Sequence, residues 1–167
     1  SPRWKNMLGY EEHELENNID TWEKLVHSDD RNNVLKDVQD YIDGKNEKFE
    51  AEMRMYHKDG STIIVLSRGF LVTCESTKKP LRLVGTHLDI TKRKNAENFI
   101  RKTNDILEMI AVGKPAREIY NEIALMYEAR HIGLRCSLLE LEDGVLLHGG
   151  APSMPEEYCE AVNGLKN

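Results

Sequence analysis

Cysteine, histidine and closely spaced hydroxyl and carboxylate groups are the residue types here that could do chemistry. Cys74, Cys136 and Cys159 stand far apart, with no Cys-x-x-Cys pair and no Cys/His group at zinc spacing. That pattern reads as buried reduced thiols, not as a metal site or a disulfide framework. The histidines are His13, His27, His57, His87, His131 and His148. No two sit at i, i+4, so the spacing gives a metal no pair of ligands on one helical face. Gly149-Gly150 is an isolated pair, not a phosphate-cradling loop, and no Ser or Cys lies in a nucleophile motif. The group with the clearest physical role is Asp89-Ile90-Thr91. Thr91 can N-cap a following helix, and Asp89 places negative charge beside its first turn. A cap interaction of about 1 kcal/mol can bias a helix between two orientations of similar energy.

Composition sets the frame for these residues. The chain has 167 residues, a length suited to one domain or two small ones. Lys plus Arg is 23 and Asp plus Glu is 29, so the net charge is 23 − 29 = −6. An acidic chain argues against a nucleic-acid-binding surface. No apolar stretch approaches the about 20 residues that a membrane-crossing helix needs. The expected setting is cytoplasmic, with no membrane contact in this segment, although a parent protein could be anchored.

The elements that must position the junction follow from hydrophobic period. Met7-Leu8-Gly9 reads as a short helix end, and Ile19, Trp22, Leu25 and Val26 form one helical face. Ser28 reads as an N-cap for a helix carrying Val34, Leu35, Val38, Tyr41 and Ile42 and stopped at Gly44. The period then becomes two: Phe49, Ala51, Met53 and Met55 alternate with polar neighbours, as in a half-buried strand. Lys58-Asp59-Gly60-Ser61 reads as a hairpin turn, 62–74 as a long strand, Lys78-Lys79-Pro80 as a turn and 81–90 as a third strand. Together these make an antiparallel meander. Trp22, Phe49, Met53 and Met55 either line a pocket in its core or fill that core.

From Thr91 to about Ala111 a long helix is expected. Ala96, Phe99, Thr103, Ile106 and Ile110 fall on heptad a and d positions. That stripe serves either as a seam with a second chain, which makes Phe99, Ile106 and Ile110 the dimer residues, or as a face lying on its own domain. Beyond it come a helix to about residue 129, strands at 136–141 and 145–148, and a last helix near Tyr158. Only two strands are expected in this second part.

The blocks Trp4-Lys5-Asn6-Met7-Leu8-Gly9-Tyr10, Trp22 to Arg31, His57 to Ser61, and Val84 to Thr91 resemble the middle and C-terminal (PAC) parts of a PAS domain. The resemblance covers about residues 1–92. The stretch from about 106 to 167 is similar to the first half of a GAF domain, through Leu107 to Ala111, Cys136 to Leu139 and His148 to Pro155. The resulting organisation is a PAS/PAC domain over 1–92 without its first strands, a signalling helix over 92–112, and a partial GAF domain over 113–167. The fold class is α+β: an antiparallel PAS-type sheet with flanking helices, a long connecting helix, then a partial GAF-type α/β unit.

This resemblance implies a piece of a larger bacterial signal-transduction protein. It would relay a state from the PAS sheet through Asp89, Ile90 and Thr91 to an output domain. A cyclic-di-GMP synthase or hydrolase is the first expectation for that output, and a histidine kinase the alternative. A ligand-free interaction adaptor and a small ligand-binding enzyme are the competing readings. The sequence offers the enzyme no convergent polar cleft. No cofactor is specified: the neighbours of Cys74 do not match the flavin-reactive Asn-Cys-Arg motif, and His27 and His87 read as structural residues in preference to haem ligands. The expected partners are a second copy of the chain and an unidentified small molecule.

Overall fold

The computed structural model describes residues 2–76, 80–131 and 133–166. The chain divides into two compact units, Ser1–Asn95 and Ala96–Asn167.

In the first unit, α1 (Pro2–Met7), α2 (Ile19–Leu25) and α3 (Ser28–Ile42) precede β1 (Phe49–Tyr56), β2 (Thr62–Thr73) and β3 (Pro80–Asp89). The strands form an antiparallel sheet in the order β1-β2-β3. Gly60, at φ 86°, gives the β1–β2 hairpin a conformation that a Cβ would resist. Lys78 and Lys79 of the second expected turn lie outside the described residues, and Pro80 opens β3.

Period-two alternation holds on β1, where Phe49, Ala51, Met53 and Met55 all face inward and are buried. They pack with Leu8, Val26, Val34 and Val65 into one core, flanked by Trp4, Trp22 and Tyr41. Each fully buried side chain of this size stabilises by about 1.5–3 kcal/mol relative to exposure.

One cap differs from the expectation. Ser28 is the first helical residue of α3, and His27 is its cap: the Asp29 amide donates to His27 Nδ1 at 3.3 Å. The His27 amide is itself tied to the Arg54 carbonyl at 2.9 Å, which fixes His27 at the sheet and brings the helix start one residue earlier. Asp30, in the first turn of α3, accepts from the Arg54 backbone amide at 2.8 Å and from its guanidinium at 2.6 Å. The guanidinium holds this carboxyl below the usual aspartate range.

In the second unit, α4 (Thr91–Ala111) continues from the first, followed by α5 (Ala116–Arg130), β4 (Leu138–Glu142), β5 (Val145–Gly150), α6 (Glu156–Val162) and β6 (Leu165–Lys166). Its antiparallel sheet has three strands, not two, because Leu165 and Lys166 pair with Leu146 and Val145. Gly149 and Gly150 serve packing: a Cβ on either would come within 2.8 Å of the Tyr120 side chain on α5. They let helix and strand approach closely.

The heptad stripe on α4 is used inside this unit. Ile106 is only 8% exposed. The Thr103 hydroxyl lies 3.9 Å from Met126 Sδ on α5, and the Arg130 guanidinium sits 5.1 Å from the Phe99 ring centre. Of the residues expected at an intersubunit seam, Ile106 is buried within its own unit, whereas Phe99 and Ile110 stay exposed. The exposed large apolar residues of α4 are Phe99, Ile100, Leu107 and Ile110, so the open face takes in two stripe positions, Phe99 and Ile110, and the two residues next to the stripe, Ile100 and Leu107.

Candidate functional site

A cavity of about 160 Å³ opens in the first unit between α2, α3 and the inner face of the sheet. Trp22, Phe49, Val38, Ile19 and Leu83 give it apolar walls. Ser67 and His87 give it polar ones. A water molecule occupies about 30 Å³ of liquid, so the space takes a few waters or one small molecule. It is well short of the about 300 Å³ at which drug-sized pockets begin.

The expected pocket residues divide. Trp22 and Phe49 line the cavity. Met53 and Met55 do not: they are 1% and 0% exposed and belong to the packed core. Further along β1, they pack into the core with Leu8, Val26, Val34 and Val65.

His87 and Ser67 complete the site. The register sets them directly opposite on β3 and β2. The Trp22 indole N–H donates to His87 Nε2 at 3.2 Å, and Ser67 Oγ lies 3.4 Å from the same nitrogen. The Trp4 ring stands at a tilt to the imidazole, with centres 6.1 Å apart. Burial lowers the His87 pKa, since a charged imidazolium would forfeit its hydration there. A sequence signal for this pair existed: two polar residues at inward positions of otherwise apolar strands.

Two residues beyond His87 the sheet passes into α4. Asp89 Oδ1 accepts the Thr91 amide at 2.8 Å. Ile90 is 3% exposed, and its amide donates to the Ile64 carbonyl at 2.8 Å. Thr91 Oγ1 accepts the Ile64 amide at 2.9 Å. The capping role expected of Thr91 thus falls to Asp89. Asp89 satisfies the amide at the helix start, while the Thr91 hydroxyl ties that start to β2. The reason is register: β2 exposes an unpaired Ile64 N–H beside the end of β3, and the hydroxyl reaches it. Glu52 on β1 adds two cations of the first turns, Lys94 at 2.5 Å and Arg93 at 3.5 Å. The junction therefore binds α4 to all three strands.

Among the described residues no group of three or more His, Cys, Asp or Glu could hold a metal ion. Among the same residues no helix is long and apolar enough to cross a membrane.

Helices over one face of an antiparallel sheet, a small cavity between them and a helix leaving the last strand are the features of a sensory fold. The PAS fold family matches residues 1–87, and the chain belongs to that family. A methyl sulfide methyltransferase-associated sensor of Methanosarcina acetivorans is 30% identical over 168 residues. That alignment takes in 95% of this chain but 16% of the sensor's length. A sensory box histidine kinase/response regulator of Burkholderia thailandensis is 31% identical with TM-score 0.54, over 65% of this chain and 79% of that one. The N-terminal domain of a diguanylate cyclase with PAS/PAC sensor from Marinobacter aquaeolei shares the fold, at 22% identity and TM-score 0.50, over 56% and 84% of the two chains. The first unit is a PAS sensor domain of the kind found in signal-transduction proteins.

Proposed function

We propose that the chain is a non-catalytic sensory and regulatory segment. In this reading the state of the PAS cavity is relayed through Asp89, Ile90 and Thr91 into α4. One observation carries it: the same strand, β3, presents His87 to the cavity and Asp89 to the helix start. Residues 113–167 act as the first part of a GAF domain that receives the signal. The similarity of 31% to a sensory histidine kinase supports a kinase output. A cyclic-di-GMP output is the second reading, supported by the shared fold of a diguanylate cyclase's sensor domain. The working state is a homodimer in the cytoplasm, associated through the exposed Ile100, Leu107 and Ile110 of α4.

Native mass spectrometry of the protein purified from cells tests the sensory reading. The expected result is a bound mass small enough for a cavity of about 160 Å³, lost on Phe49→Trp, which fills the space. A clean unliganded mass under several growth conditions supports a protein-interaction adaptor instead.

A further inference from the structure

We infer that His87 and Trp22 form a proton-sensitive latch between α2 and the end of β3, closed while His87 Nε2 is unprotonated. An indole N–H only donates, so the 3.2 Å contact requires Nε2 to be the acceptor. His87 is then neutral, with its proton on Nδ1. Protonation at Nε2 sets two donors against each other and opens the contact. Among the described residues the groups facing the imidazole are Trp4 from α1, Trp22 from α2 and Ser67 from β2, and the positive charge of the amino terminus further disfavours the imidazolium. Arg68 at the cavity wall is held by Glu50 of β1 at 2.8 Å. None of these supplies a carboxylate at the ring that would welcome the cation.

The latch bears on the helix because His87 and Asp89 are two residues apart on one strand and share a face. Releasing α2 removes its hold on the strand whose end carries the Asp89 carboxylate bonded to the Thr91 amide, while β2 keeps the strand in register. Burial lowers the His87 pKa below its ordinary 6.5. The stability carried by the closed latch is therefore full above 6.5 and is lost as pH falls from there through the lower folded-state value. The latch rests on the sensory reading for its purpose. The measurement below reads the contact and the junction directly, so either can fail while the other stands.

Nitrogen-resolved NMR of the 167-residue chain follows the His87 ring, the Trp22 indole and the Thr91 amide. The titration runs from about pH 8 to about pH 5, where imidazoles change charge. The expected result is Nε2 unprotonated at neutral pH, with the indole and the Thr91 amide moving at one common midpoint below 6.5. Trp22→Phe removes the bond that favours the neutral ring, so the midpoint rises. His87→Gln abolishes the step at the Thr91 amide. A proton on Nε2 at neutral pH, or a Thr91 amide that stays still while His87 titrates, overturns the latch. The wild-type titration decides the matter even where a variant does not fold.

Discussion

At the scale of single residues, the junction shows how one short motif divides its labour. Asp89 takes the helix amide and Thr91 takes a strand amide, so each satisfies a donor that would otherwise lack a partner. Thr91→Val keeps the shape and removes the acceptor from the Ile64 amide. It is expected to lower stability by about 1 kcal/mol, whereas Thr91→Ser keeps the hydroxyl and stays near wild type. Asp89→Ala is expected to cost about as much by uncapping the helix. Melting temperatures of the three variants check this. A Val variant as stable as wild type shows that the 2.9 Å contact contributes nothing.

At the scale of elements, α4 presents two faces with opposite consequences. Ile106 is buried within its own unit, while Ile100 and Leu107 are 60% and 57% exposed. Ile100→Glu with Leu107→Glu should leave each chain folded and remove self-association, because like charges would then face each other across a two-fold seam. Ile106→Glu should unfold the second unit, since it buries a carboxylate without a partner. Sedimentation and circular dichroism separate the outcomes. A wild-type chain that stays monomeric at high concentration ends the case for α4 as a seam.

At the scale of the whole molecule, the chain has two compact units, and both tryptophans, Trp4 and Trp22, lie in the first. Tryptophan fluorescence therefore reports that unit alone, while circular dichroism reports both. Gly85 offers a selective probe. A Cβ there would stand 2.3 Å from the Arg68 carbonyl, and backbone cannot yield cheaply. Gly85→Ala is expected to destabilise the first unit by about 1–3 kcal/mol, the usual cost of overpacking. The fluorescence transition should move while the remaining dichroism transition stays. A joint shift of both signals shows a single cooperative unit instead.

The order and type of the elements were legible in the sequence because period decides them locally. Phe49, Ala51, Met53 and Met55 declared a strand with one buried face, and the Asp59-Gly60 turn joined it to the next. The junction was legible as a place, since Asp89 and Thr91 flank a change of period from two to that of a helix. Their partners were not: the Ile64 amide is 27 residues away in sequence, and only strand register brings it to Thr91. Trp22 and His87, 65 residues apart, meet for the same reason. Whether an inward residue lines a cavity or fills a core depends on which helix stands over it, so Phe49 and Met53 could not be told apart by spacing. The heptad on α4 marked an apolar stripe, but α5 decided which side of it stayed exposed. Sequence by itself determined local period, turns and the PAS resemblance; long-range packing alone decided partners, because side-chain contacts across the chain depend on register and on which faces meet.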